Sequence, residues 1–165
     1  MPSIAHLLKI VARKYRFWRH GRGFGIHSPF AFRFITETLN QSLPYYAYAE
    51  IGRDKRLRLL FRVVLAFAPH RVAIVGESDD LWLAIHLACP AAEKVELDDC
   101  PDFVVSAKAE FNSCAAKAVE QFGCHAFFME TPSELPFCRM TFCNGKQLVI
   151  ANYKHLPHQD CCVKF

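Results

Sequence analysis

Two residues of types that can hold a ligand, Gly76 and Asp98, each come directly after a strand-like apolar run. Gly76 follows the β-branched run 72–75, Asp98 follows the run 94–97, and an apolar helical pattern lies between the two. Glycine after a first strand lets the backbone approach a ligand closely, and an acid after the second strand can bind ribose hydroxyls. The spacing therefore predicts a nucleoside or dinucleotide site at the ends of two neighbouring strands.

Two further residues are candidates for the same site. Ser78 lies in the loop that contains Gly76, and Glu130 follows the apolar run 126–129, where α/β sheets place ligand contacts. Each acid also has a structural interpretation: Glu130 as a solvated strand-end acid, and Asp98 as a solvated loop acid or as the cap of a following helix. The predicted cofactor-binding residues are Gly76, Ser78, Asp98 and Glu130.

The residue patterns do not define a catalytic group or a metal site. His27 stands beside Ser28, a good helix N-cap, so packing explains this histidine better than a role as a base. Near the C-terminus, His-x-x-His-x-x-Cys-Cys matches no strong zinc signature, so we interpret it as a tail with incidental thiols, and we predict no metal site (His155, His158, Cys161 and Cys162). The chain also contains neither a Gly-x-Ser-x-Gly elbow nor a phosphate-binding Gly-Lys-Ser/Thr loop.

Strands that alternate with helices must position these candidates. Apolar runs predict strands at 72–76, 94–97, 126–129 and 146–151, the last entered through an Asn144-Gly145 turn. Helical spacing predicts a helix that ends at Ala88, a helix that opens at Pro101, and a helical stretch that ends at Gly123; the apolar face of the second comprises Phe103, Val104, Ala107 and Phe111. This alternation indicates an α/β fold with a largely parallel sheet.

Three helices are predicted before the first strand, so the chain divides into a helical N-terminal extension, 1–70, and an α/β core, 71–165. The second helix begins at Ser28-Pro29 and the third ends before Pro69. The first, in residues 1–20, has a basic face and an apolar stripe (Ile4, Leu7, Leu8, Val11, Tyr15 and Trp18). We expect the stripe to dock on the core; the alternative is that the basic face binds an anionic membrane or nucleic acid.

Composition narrows the class of protein. The 165 residues are 52% hydrophobic, which suits one globular domain with a sizeable core. Residues 1–71 contain 13 Lys/Arg against 3 Asp/Glu, whereas residues 72–165 contain 7 against 13. No strong nucleic-acid motif and no apolar run long enough to span a membrane is present. The eight cysteines are not preceded by a secretory signal, so we expect reduced thiols and a cytoplasmic protein.

Three segments resemble one known family. Gly25-Ile26-His27-Ser28-Pro29-Phe30-Ala31-Phe32 is similar to the Gly-x-His-Ser-Pro-Phe-x-Phe signature of a group of bacterial class I S-adenosylmethionine-dependent methyltransferases. The stretches 97–101 and 149–153 resemble that family's acid-Gly-Cys-Pro segment and its late strand. The resemblance implies a Rossmann-like three-layer sandwich of the methyltransferase type, with S-adenosylmethionine as cofactor. It also implies methyl transfer to an acceptor that the sequence does not identify.

The cofactor loop departs from the pattern of this family. The motif of the family is acid-x-Gly-x-x-x-Gly. In this chain Ile74 stands in place of the acid, and Ser78 and Asp80 stand where glycines are expected. Side chains at glycine positions obstruct the close approach of backbone and ligand. We therefore expect a methyltransferase-like protein with weakened or lost activity; the alternative is a non-catalytic Rossmann-like scaffold or interaction protein derived from this family.

The C-terminal region is shorter than the resemblance implies, because the family continues through a further helix and a terminal hairpin. A doubly wound sheet that ends after the strand at 146–151 has an open edge. We expect that edge to be covered by a short strand from residues 161–165, or by a partner such as a second copy of the chain; the alternative is that the domain is a truncated relic of the family.

Overall fold

A computed structural model describes residues 8, 11–12, 15, 28–41, 43–76, 78–130, 137–141, 143 and 147–151. In this part of the chain the helices are α1 (Pro29–Arg33), α2 (Tyr48–Ile51), α3 (Lys55–Phe67), α4 (Asp79–Ala88) and α5 (Asn112–Phe122), with a π-helix at Phe34–Leu39 and a 3₁₀ turn at Ala109–Phe111. The strands are β1 (Arg71–Val75), β2 (Glu93–Val95), β3 (Phe103–Ser106), β4 (His125–Glu130), β5 (Phe137–Thr141) and β6 (Gln147–Ala151).

The six strands form one sheet in the order β2-β1-β3-β4-β5-β6. The first four are parallel, whereas β5 is antiparallel to β4 and β6 is antiparallel to β5. The predicted α/β class with a mostly parallel sheet is confirmed, and the arrangement is compatible with a Rossmann-like fold. The predicted strand at 146–151 is present as β6, but it joins the sheet through β5, a strand that the sequence analysis did not include.

The predicted helix at Pro101 is wrong, because residues 103–106 form the central strand β3. All four of these residues are 0% exposed, between β1 on one side and β4 on the other. A fully buried parallel strand is apolar on both faces, so its short apolar run has no period that separates it from a buried helix. The Asp102 carboxylate accepts hydrogen bonds from the backbone N–H groups of His70 (2.8 Å) and Arg71 (3.1 Å), which joins the starts of β3 and β1.

Alternate side chains of the central strands enter two separate cores. On one face of the sheet they pack against α3, α4 and the π-helix, in a cluster that includes Phe34, Leu60, Ile85, Phe103 and Phe127. On the other face they pack against α5, in a cluster that includes Val104, Ala115, Val119, Ala126 and Phe128. Helices therefore cover both faces of the sheet, and the π-helix, α2 and α3, which precede β1, share a core with it.

Several helices begin or end at the capping residues that the sequence predicts. The Ser28 hydroxyl accepts a hydrogen bond from the Ala31 N–H (3.3 Å) at the start of α1, and Pro29 occupies the first turn. Helix α5 ends at Gly123, whose φ of +65° is left-handed. Within the described residues, no helix combines the length and apolar character needed to cross a membrane.

Only part of the predicted N-terminal helix can be compared with the structure. Leu8, Val11, Ala12 and Tyr15 are helical, and 62% of Val11 is exposed, so this side chain is not buried against the core. The other members of the predicted stripe lie outside the described residues, as do the Asn144-Gly145 turn and residues 161–165.

We expect Leu60→Ala to lower the free energy of unfolding by about 2–5 kcal/mol, because this side chain is 0% exposed in the core beneath α3. Leu65→Ala on the same helix is the matched control, since Leu65 is 43% exposed and should change stability by less than about 1 kcal/mol. Urea denaturation of both variants measures the difference. Equal losses would contradict the assignment of the buried face of α3.

Candidate functional site

The parallel strands bring the predicted site residues to one edge of the sheet. Gly76 follows β1, Asp98 lies in the turn after β2, and Glu130 is the last residue of β4. Ser78 immediately precedes α4. The carboxyl ends of parallel strands lie at the same edge, so the backbone places all four candidates there, with β3 between Gly76 and Glu130.

The crevice expected at this edge lies between β1 and β3, where the direction of strand addition reverses. The hydrogen bonding between β1 and β3 continues beyond the end of β3, because the Ala107 N–H donates to the Val75 carbonyl at 3.0 Å. The Phe111 ring lies directly against Gly76: a Cβ added at Gly76 would be 2.7 Å from Phe111 Cε2 and 3.1 Å from the Ala107 Cβ. The space that the glycine leaves is therefore filled by side chains of the loop after β3.

Ser106 holds that loop in position. Its side chain is 0% exposed, and its hydroxyl oxygen lies 2.9 Å from both the Lys108 carbonyl oxygen and Asn112 Oδ1. These contacts link the end of β3 to the start of α5 and fix the turn that carries Phe111. The roles of Ser106 and Phe111 are not predicted from the sequence, because helical spacing places Phe111 on a helix; the apolar run 103–105 is the available signal for a strand.

Two acids of the loop after β1 lie at the start of α4. Asp79 and Asp80 are exposed in its first turn, where the helix dipole favours negative charge. Ser78 is the N-cap by position, and its backbone carbonyl accepts from the Leu81 N–H at 3.2 Å, but its side chain makes no capping hydrogen bond. The negative charges of Asp79 and Asp80 therefore disfavour an anionic ligand group at this helix terminus.

Asp98 is an exposed residue of the turn in which the Asp99 N–H donates to the Glu96 carbonyl at 3.2 Å. The interpretation of Asp98 as a helix cap is wrong, because the segment after Pro101 leads into β3. A ligand-binding acid and a solvated loop acid both fit its exposed position.

The residues at this edge do not fit S-adenosylmethionine in the described arrangement. The ring of Phe111 fills the cradle at Gly76, and two carboxylates in the first turn of α4 would repel the carboxylate of the cofactor. Ile74, at the position where the methyltransferase motif would place an acid, is half-buried and packs against the core shared with α3 and α4.

A second set of titratable residues lies at the opposite, amino edge of the sheet. Burial raises the pKa of the Cys124 thiol to about 11, so this thiol is protonated at neutral pH. Burial also lowers the pKa of His125, and its Nδ1 accepts a hydrogen bond from the Cys143 N–H at 3.3 Å, which requires an unprotonated Nδ1. Among the described residues, no group of three His, Cys, Asp or Glu side chains is arranged to hold a metal ion.

The predicted His-x-x-His-x-x-Cys-Cys constellation lies outside the described residues. Five of the cysteines that the structure describes are free: Cys89, Cys100, Cys114, Cys124 and Cys143.

Comparison with protein-family models, with curated proteins and with solved structures found no match to this chain.

We expect Gly76→Ala to lower the free energy of unfolding by about 2–5 kcal/mol, the sum of backbone strain at a φ of +92° and overlap with the Phe111 ring. Gly123→Ala is the matched control: its φ of +65° gives similar strain, but nothing lies within 4 Å of the added Cβ, so its loss should be about 1–2 kcal/mol.

A double-mutant cycle with Phe111→Ala isolates the contact at Gly76. Removing the ring should recover about 1–3 kcal/mol of the loss caused by Gly76→Ala and none of the loss caused by Gly123→Ala. Additive effects at positions 76 and 111 would show that the two residues do not touch.

The lowered pKa of His125 makes stability depend on pH in one direction. The folded state binds a proton at His125 less readily than the unfolded chain does. Neutral His125 therefore contributes its full stabilisation of the folded state above the ordinary pKa of about 6.5, and this stabilisation is lost as pH falls below that value. Denaturant titrations of the natural chain should show that the free energy of unfolding decreases as the pH is lowered from about 7.5 to about 5.

In the same titrations the free energy of unfolding of His125→Gln should decrease less as the pH is lowered. The glutamine side-chain oxygen can accept the hydrogen bond from the Cys143 N–H, and it does not titrate. His86→Gln, at an exposed position of α4, is the control and should keep the slope of the natural chain. If His125→Gln also keeps that slope, burial of His125 is not a source of the pH dependence.

Proposed function

We propose that this chain is a non-catalytic α/β scaffold of the methyltransferase type, in which a protein side chain has replaced the cofactor. The observation that carries the proposal is the packing of Phe111 on Gly76, where a Cβ would lie 2.7 Å from the ring. A ligand cannot approach the backbone of Gly76 while the ring is there. The resemblance of residues 25–32 to the methyltransferase signature supports the family origin.

The polar surroundings of the loop support the loss of cofactor binding. A helix N-terminus attracts anionic ligand groups, whereas the carboxylates of Asp79 and Asp80, exposed in the first turn of α4, repel them. Phe111 is held by the contacts of Ser106 with Lys108 and Asn112, so the obstruction is part of the packed structure rather than an isolated rotamer.

A scaffold acts through surfaces, and the sheet offers one at β6. In the described part of the chain β6 is the last strand of the sheet and pairs only with β5. Its five residues, Gln-Leu-Val-Ile-Ala, are mostly apolar, and such an edge is a template for strand addition. We propose a second copy or another protein as the partner of this edge, in the reducing cytoplasm that suits the free thiols.

A working S-adenosylmethionine-dependent methyltransferase is the second candidate. It is favoured by the left-handed φ of +92° at Gly76, and by the exposed position of Asp98 at the same edge of the sheet. In this candidate Phe111 must leave Gly76, and Asp98 binds the ribose hydroxyls of the cofactor.

Titration calorimetry with S-adenosylmethionine and its demethylated product tests both candidates. We expect no saturable heat from the natural chain up to about 1 mM ligand, because the cradle is filled. Combining Phe111→Ala with Ser78→Gly and Asp80→Gly removes the ring and restores both glycines, so this triple variant should gain measurable affinity.

The contradictory result is micromolar binding by the natural chain that Asp98→Ala weakens by about tenfold or more. Asp99→Ala is the matched control, since Asp99 is an exposed acid of the same turn. If only the substitution at position 98 weakens binding, the methyltransferase candidate replaces the scaffold.

A further inference from the structure

A groove of about 560 Å³ lies away from the crevice at Gly76. We call it the aromatic groove; its lining consists of Pro29, Phe30, Arg33, Phe34, Glu37, Thr38, Ala66 and Phe67. The ring of Phe67 lies 6.1 Å from that of Phe103 and 4.6 Å from that of His125, centroid to centroid. These are the first residues of β3 and β4, so the groove is at the amino edge of the sheet.

Three phenylalanine rings form one wall of the aromatic groove. Phe30 and Phe34 stack with centroids 6.0 Å apart and planes inclined by 9°, and Phe67 meets Phe34 edge to face at 5.6 Å. Phe34 is 5% exposed and anchors the wall in the core, whereas Phe30 is 52% exposed. The wall thus combines a rigid base with an accessible ring, an arrangement suited to stacking with a planar ligand.

One positive side chain, from the end of α1, and one negative side chain, from the π-helix, line the groove. Arg33 and Glu37 are four residues apart, a spacing that normally allows an ion pair on an α-helix. In this segment the Asn40 N–H donates to the Ile35 carbonyl at 3.0 Å, five residues back, so the helix is wider than an α-helix. Among the described residues no ion pair joins Arg33 to Glu37, and both side chains are exposed.

We propose that the aromatic groove binds a free aromatic amino acid. The ring of the ligand stacks on Phe30, its carboxylate pairs with Arg33, and its ammonium pairs with Glu37. The volume lies within the range of small-molecule pockets, which favours a small ligand over a flat protein contact. π-Helical segments are often found at functional sites, and here the segment supplies Phe34, Glu37 and Thr38 to the lining. This site is independent of the function proposed for the carboxyl edge.

Titration of the full chain with L-tryptophan, followed by calorimetry or ligand-observed NMR, tests the proposal. A ligand of about 15 non-hydrogen atoms at ordinary efficiency should bind with a Kd of about 0.5 mM. Tryptamine lacks the carboxylate and indole-3-propionate lacks the ammonium, so each should bind about two- to fivefold more weakly, the effect of one exposed ion pair.

Variants assign each charge to its partner. Arg33→Gln should make L-tryptophan and tryptamine bind equally, and Glu37→Gln should make L-tryptophan and indole-3-propionate bind equally. Phe30→Ala should weaken all three ligands by about threefold or more. Phe32→Ala is the matched control, because Phe32 is 44% exposed on the same helix but does not line the groove. All four positions are exposed, and thermal unfolding checks that each variant is folded.

Three outcomes would overturn the proposal. The first is the absence of saturable L-tryptophan binding up to about 5 mM, tenfold above the expected Kd. The second is equal weakening by Phe32→Ala and Phe30→Ala. The third is a dimer in sedimentation that Phe30→Ala dissociates, since it would place a second copy of the chain in the groove.

Discussion

The central strands of this protein are buried on both faces, and every other feature follows from that constraint. In β1, β3 and β4, consecutive side chains enter two different cores, one beneath α3 and α4 and the other beneath α5. Each strand must therefore be apolar throughout, and both faces need a helix layer. Chemistry is then confined to the two edges of the sheet, where the chain leaves and enters the strands.

At the carboxyl edge the connection after β3 decides what the site can hold. The chain passes from Ser106 to α5 through the short turn 109–111, and the contacts of Ser106 with Lys108 and Asn112 hold that turn close to the sheet. Phe111 consequently lies where Gly76 has no side chain. In a nucleotide-binding fold, a glycine at this position leaves space for a ligand. In this protein the space at Gly76 is filled by the Phe111 ring, so the glycine allows close packing instead.

At the amino edge the helices that precede β1 build a different surface. Phe34 and Phe67 belong to the core over the sheet, and Phe30 continues the aromatic stack outward to solvent. Arg33, at the end of α1, and Glu37, in the π-helix, line the groove beside that stack. The segment that the sequence predicts to be an N-terminal extension thus contributes both to the core and to the aromatic groove.

The sequence by itself determined the features that depend on neighbouring residues. Ser28-Pro29 marks the start of a helix, Gly123 marks the end of another, and Gly76 and Asp98 follow parallel strands at one edge. Only the tertiary structure decided that 103–106 is a strand, because a short apolar run buried on all sides has no period of its own. It also decided that Phe111 fills the space at Gly76, since two residues 35 positions apart meet only when β1 and β3 pair.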